Sequence, residues 1–245
     1  MRVAITTGLL PIPPTYFVVQ HGERMLEQHT VEAFPLAADV LDASVRVPVT
    51  PAITARVPWR MRQYLALTAA PAQSRLLRRF GPDLVHQHFA TWSRSALATA
   101  HALGAPALVT LHGYDVFEAA APRGGLLGRV HARSIGAAQT GARRTLAVSE
   151  YLAGEAVRAG WSAQSLEVHY QGVDSDFFTP TSPEPTQPEQ PTIAFVGALS
   201  PQKGISDLLA ASIALHAVRP HRLRVAGSGP LRGALLAAAA EHPHI

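Results

Sequence analysis

No cysteine occurs in the 245 residues, which excludes disulfides, thiol nucleophiles and thiolate-held metals, and fits a reducing compartment. No apolar run reaches the ~20 residues needed to span a bilayer. The opening Met1-Arg-Val-Ala-Ile-Thr-Thr-Gly8 is too short for a secretory signal and is followed by Pro11, Pro13 and Pro14, so the sequence reads as cytoplasmic. Charge is sparse at 16%, and lysine is nearly missing: Lys203 stands alone, the rest of the 21 basic residues being arginine. Only Arg78-Arg79 and Arg143-Arg144 are adjacent, and no basic tract interleaves with aromatics, which argues against nucleic acid as a partner.

What is present points to a globular chain of one large or two ordinary domains, with 47% hydrophobic residues. A net charge of +4 and a pI near 9.9 favour anionic partners, a nucleotide or an anionic membrane surface touched from the side.

Short apolar runs alternate with helical patterns. Residues 2–7, 84–88, 107–111, 145–148 and 166–170 read as buried strands; 58–80, 93–103, 126–139 and 149–159 read as helices, the last with Ser149 as N-cap and Gly160 as its stop. Strand–helix alternation implies a doubly wound, mostly parallel α/β sheet over residues 1–178. Residues 179–191 carry five prolines and no large apolar side chain, which suggests an extended linker. The rhythm then restarts: strand 192–196, helix 205–218, strand 223–226, turn 227–230, helix 231–241.

Two open α/β sheets present the carboxyl ends of their strands to ligands. His86-Gln-His88, Leu111-His112-Gly-Tyr-Asp115, Gly197–Gly204 and Gly227-Ser-Gly229 all fall at such ends. Good turn chemistry alone accounts for polar and glycine residues there. A loop with glycines at 197 and 204, one lysine and a helix starting near Ile205 also has the makings of a phosphate site.

Six segments, in order, carry a resemblance: Asp83-Leu-Val-His-Gln-His-Phe89, Val109-Thr-Leu-His-Gly-Tyr-Asp115, Ala147-Val-Ser-Glu-Tyr-Leu152, Gly172-Val-Asp174 with Phe177-Phe178, Phe195–Gly204, and Val225-Ala-Gly-Ser-Gly-Pro230. Together they resemble the retaining GT-B glycosyltransferases of family 4, and Pro14–Gln20 resembles members that build exopolysaccharide. The resemblance implies a GT-B fold, with a complete Rossmann-like N-terminal domain and the first β-α-β-α of a second, and transfer of a sugar from a nucleotide diphosphosugar to a glycan or lipid-linked acceptor.

On matching residues, the resemblance places His112 near the transferred sugar. Asp115 is the second candidate at that position, better suited to brace the His112 loop than to attack. Lys203 is placed on the donor diphosphate, with Gly197, Gly204, Gly227 and Gly229 admitting the nucleotide close to the backbone. With Lys203 and backbone amides meeting the phosphate charge, neither metal nor other cofactor is expected.

Two departures stand against full activity. Ala198 replaces the arginine that usually follows the first glycine of the phosphate loop. The 54 residues from Thr192 to Ile245 match only half of the second domain, without its Glu-x7-Glu donor segment, so little or no transfer is expected from the 245 residues alone. An inactive relative that binds acceptor or a partner chain, and a nucleotide-sugar epimerase of GT-B form, stay open as alternatives.

Overall fold

The structure is a computed structural model that describes residues 1–12, 14–54, 58–122, 124–179 and 190–245. These form two compact units, Met1–Val173 and Asp174–Ile245. Most of the proline-rich stretch expected as a linker, residues 180–189, lies outside the described residues.

The first unit is built on six parallel strands: β1 (Arg2–Ile12), β2 (Thr30–Val40), β3 (Leu84–His88), β4 (Ala107–Leu111), β5 (Arg144–Ala147) and β6 (Leu166–Val168), in the order β2-β1-β3-β4-β5-β6. Its helices are α1 (Phe17–Met25), α2 (Trp59–Ala66), α3 (Ala70–Phe80), α4 (Arg94–Ala102), α5 (Tyr114–Ala120), α6 (Gly125–Gly141) and α7 (Glu150–Arg158). The α/β, parallel, Rossmann-like class expected from the alternation is the one observed.

Both faces of the sheet are covered, as a parallel sheet requires. Val3 and Ile5 of β1 pack with Val18 and Val19 of α1 on one side; Ala4, between them, faces Leu77 and Phe80 of α3 with Val85 and Val109 on the other. This period-two alternation fixes the register, with Val3 opposite Leu84 and Thr6 opposite Gln87. Because the chain adds β2 on one side of β1 and β3 on the other, the connections diverge between β1 and β3, and a crevice opens at their carboxyl ends.

Several boundaries differ from the sequence reading, for identifiable reasons. β1 continues past Thr7 to Ile12, through Pro11, because its pairing with β3 ends at Thr6 and only β2 accompanies it further. β2 went unpredicted: Glu32, Pro35 and Asp39 interrupt its apolar run, and the edge position tolerates them. The helix expected over 58–80 is two, α2 and α3, because Pro71 has no N–H for a helix interior and sits instead in the first turn of α3. Ser149 does cap α7, accepting from Leu152 N–H at 3.1 Å, and Gly160 closes it at φ +100°.

The second unit holds β7 (Thr192–Val196) paired in parallel with β8 (Arg222–Ala226), plus α8 (Ile205–His216) and α9 (Arg232–Glu241). Its described interior is small: Leu199, Ile205, Ser212, His221 and Leu223 are buried, while Val196 and Val218 are 84% and 85% exposed.

Candidate functional site

At the carboxyl ends of β3 and β4, three imidazoles run in series. His86 Nε2 lies 2.7 Å from Thr110 Oγ1, and the His86 and His88 rings are 4.3 Å apart. His88 Nδ1 meets His112 Nε2 at 3.0 Å, with the two rings stacked at 18°. On its far side, His112 Nδ1 is 3.0 Å from Nε2 of Gln171, from the loop after β6. An amide N–H only donates, so His112 accepts at Nδ1 and carries its proton on Nε2, toward His88. His88 must then hold its own proton on Nε2, a buried atom without a hydrogen-bond partner.

Burial pushes the His112 ring down from its usual value to about 3, with a further push from His86 and His21. Burial likewise holds His86 near 4 and His88 well below the normal histidine range. All three are neutral at physiological pH, so His112 offers a lone pair at Nδ1 and no acidic proton.

A stability consequence follows. The unfolded chain protonates these rings near 6.5 and the folded chain only well below that, near 4 for His86 and near 3 for His112, so their contribution is complete above pH 6.5 and is lost as pH falls below it. At pH 4.5, His86 alone should cost the first unit about 2–3 kcal/mol. Urea midpoints should therefore drop steeply from pH 7 to 4.5, and less steeply in His86→Gln. A midpoint indifferent to pH would contradict the neutral cluster.

Asp115 is fully buried in the first turn of α5 and spends its carboxylate on the backbone. Oδ1 accepts from the N–H groups of His112 (3.1 Å), Gly113 (3.1 Å) and Val116 (3.2 Å), and Oδ2 from Ala90 (3.0 Å). Burial raises its pKa, while the N–H donors act in the opposite direction. The bond to Ala90 ties the end of β3 to the end of β4, which sets the spacing of His88 and His112. Asp115 thus braces the loop and faces no open space in which to attack a substrate.

Aromatic rings flank His112: Phe17 at 4.7 Å and Phe89 at 4.5 Å between centroids. Phe89 adopts φ +61°, the one positive value at a non-glycine among the described residues, a conformation costing on the order of 1–3 kcal/mol. It is held there by its N–H to Thr110 O (3.0 Å) and by Gln87 Nε2 donating to its carbonyl (2.9 Å). Tyr16 donates to the buried Glu23, which raises the Tyr16 pKa to about 12 and fixes the residue next to Phe17. His88 was marked in the sequence at a ligand-facing strand end without a role, and Phe17, Phe89 and Gln171 were not singled out. The usable signal was proximity: each lies within or beside a motif quoted above.

In the second unit, the loops after β7 and β8 run against each other. Gly197 N–H bonds Ala226 O (3.0 Å), Leu199 N–H bonds Ser228 O (2.8 Å), and Leu231 N–H bonds Leu199 O (3.0 Å). A Cβ at 227 would stand 1.9 Å from Gly197 O, and one at 229 would stand 2.4 Å from Leu199 O. Both glycines are thus accounted for by loop-to-loop contact. At 197 a Cβ would meet only the Phe195 ring, at ordinary distance. Lys203 ends a 3-10 turn, Pro201–Lys203, and is exposed; Gly204 follows at φ +66° and α8 starts at Ile205. Ala198 is exposed in the same loop.

One Asp-x-Asp does occur in the sequence, Asp174-Ser-Asp176. Asp174 Oδ1 accepts from the N–H groups of Asp176 (3.1 Å) and Phe177 (3.0 Å), a local turn that accounts for its position there.

The Glycosyltransferase Family 4 model matches residues 16–177, and that span takes in His88, His112, Asp115 and Gln171. The chain belongs to Glycosyltransferase Family 4. No curated protein matches its sequence. Among solved structures it resembles Anabaena Alr3699/HepE in complex with UDP-glucose (TM-score 0.68, 15% identity, 100% of this chain and 65% of that one). It also resembles sucrose-phosphate synthase from Thermosynechococcus elongatus (0.74, 16%, 100% and 68%) and UDP-N-acetylglucosamine 2-epimerase from Rickettsia bellii (0.56, 13%, 97% and 64%). At these identities the likeness is one of fold. The chain spans about 65% of the length of such relatives as HepE.

Proposed function

We propose that this family 4 chain serves a glycosyltransferase that moves a sugar from a nucleotide diphosphosugar to a glycan or lipid-linked acceptor, with retention of configuration, in exopolysaccharide or other cell-envelope glycan synthesis. The family match over residues 16–177 carries this reading, because the His112–Asp115 loop lies inside it. A relative solved with UDP-glucose supports the donor class. The neutral His112 ring accepts a sugar hydroxyl at Nδ1 once Gln171 yields that atom, and Phe17 and Phe89 offer apolar faces for the sugar ring. Lys203 meets the negative charge that builds on the departing diphosphate, helped by the amino end of α8. Among the described residues no helix is long and apolar enough to cross a membrane, and we place the protein in the cytoplasm, touching the membrane at most from its face.

The test is nucleotide binding followed by product analysis. UDP, ADP and GDP titrated by calorimetry should identify one preferred diphosphate. Lys203→Ala should bind it about tenfold to a hundredfold more weakly, the worth of one charge-assisted contact, and Ala198→Arg should bind it more tightly. Equal affinity in wild type and Lys203→Ala would remove the phosphate role. The epimerase relative keeps a second reading in play: isomerised nucleotide sugar formed without acceptor would establish that chemistry, whereas acceptor-dependent release of nucleotide diphosphate would establish transfer.

A further inference from the structure

The second unit gathers three histidines at a place unrelated to the phosphate loop. His216 lies in the last turn of α8, His221 directly precedes β8, and His244 follows α9. One nitrogen from each lies within 4.8 Å of the other two. His221 is buried and the other two are half-buried. The His216 and His244 rings stack at 3.9 Å and 13°, and His221 stands edge-on to them at 5.3 and 5.4 Å.

The hydrogen bonds set the protons. His221 Nδ1 lies 3.0 Å from Arg219 O, and a carbonyl only accepts, so Nδ1 carries the proton and Nε2 presents a lone pair. That lone pair faces Ser212 Oγ at 2.8 Å, and the same hydroxyl is 3.3 Å from His244 Nε2. An imidazole whose outer nitrogen is fixed on a backbone carbonyl while its inner nitrogen carries no proton, here meeting the Ser212 hydroxyl, has the support found behind metal-bound histidines.

We propose that His216, His221 and His244 form a binding site for one divalent transition-metal ion of the zinc class, with water in the fourth position. Three imidazoles without carboxylate or thiolate suit zinc, nickel or copper and not magnesium or calcium. Tetrahedral bonds of about 2.0–2.1 Å place ligand nitrogens roughly 3.4 Å apart, so the present spread of up to 4.8 Å must close by about 1.4 Å. Side-chain rotation of the half-buried His216 and His244 supplies this while His221 stays fixed, and the Ser212 hydroxyl gives up its place to the ion.

The ion's role is to hold the unit together. It joins the end of α8, the start of β8 and the segment after α9, whose His244 carbonyl already accepts from Leu223 N–H at 2.7 Å. A unit with so few buried side chains gains most from such a clamp. The cluster sits at the amino end of β8, while Gly227 and Gly229 lie past its carboxyl end, so this ion does not reach the phosphate loop. The site therefore stands or falls apart from the transfer reading.

The experiment uses the chain without a polyhistidine tag, stripped by chelator and dialysed. Zinc titrated by calorimetry at pH 7.5 should bind one ion per chain and raise the thermal midpoint as its concentration rises. His216→Gln and His244→Gln should each weaken binding more than about tenfold. His242→Gln, whose ring lies 6.0 Å from His244 and outside the triad, should leave it unchanged. Circular dichroism of the metal-free variants should match wild type, so that lost binding reports lost ligands. Absence of zinc binding by the wild type, affinity indifferent to His216→Gln and His244→Gln, or an equal loss in His242→Gln would overturn the proposal.

Discussion

Replacing Asp115 with alanine is expected to destabilise the first unit by about 3–6 kcal/mol, enough to unfold much of the protein at ambient temperature. Four backbone N–H groups, from Ala90, His112, Gly113 and Val116, end on this one buried carboxylate. Each loses its acceptor in the alanine variant, and an unpaired buried donor costs about 1–3 kcal/mol. Water entering the vacated space recovers part of the loss, which is why the total is set below four full penalties. Asp115→Asn separates bracing from chemistry. Its oxygen can keep the three donors clustered on Oδ1, but its amide then points N–H at Ala90 N–H, so about 2–3 kcal/mol is expected. Urea unfolding of the full chain measures both. An alanine variant within about 1 kcal/mol of wild type would show that the carboxylate is no brace, and an Asn variant with full stability but no turnover would return Asp115 to the chemistry.

The same contacts show what was legible in the sequence. The strands at 84–88, 107–111 and 192–196 were readable to the residue, because each short run follows a Gly or Pro turn, at Gly81-Pro82, Gly104-Ala-Pro106 and Pro191, even though β3 ends in His86-Gln-His88 and β7 is largely exposed. β2 was not, since an edge strand keeps Glu32, Pro35 and Asp39 without penalty. His112 and Asp115 were readable as a pair because they sit side by side past one such strand. Their partners come from elsewhere: His88 is 24 residues away and Gln171 is 59, and only the sheet order brings them together. A Gly-x-Gly in sequence says that something approaches the backbone closely but not what. At 227 and 229 the visitor is the loop 197–199 of the same unit. Those glycines shape the loop that carries Lys203, and Gly227→Ala would disturb it through Gly197 O before any ligand arrived.

His112→Ala is expected to lower the rate of sugar transfer by at least about 100-fold, in a form of the protein that shows transfer, while leaving nucleotide diphosphate binding within about threefold of wild type. The reasoning is positional. His112 Nε2 is committed to His88, and its ring is wedged between Phe17 and Phe89, so the imidazole cannot turn; the one nitrogen open to exchange is Nδ1, held by Gln171. A sugar hydroxyl taking the place of the Gln171 amide is aligned by that fixed ring, and misplacement of a reacting group by about 1 Å costs on the order of 100-fold. The proton state sharpens the test. With its pKa near 3, the ring stays a neutral acceptor throughout the working range, so wild-type kcat/KM should show no limb near pH 6–7 that disappears in His112→Ala. Gln171→Ala should retain most of the rate, because it frees His112 Nδ1, the atom proposed to hold the sugar hydroxyl. A pH limb near 6.5 belonging to His112, or a Gln171→Ala loss as large as that of His112→Ala, would mean that the ring acts as an acid or that Gln171 itself holds the sugar.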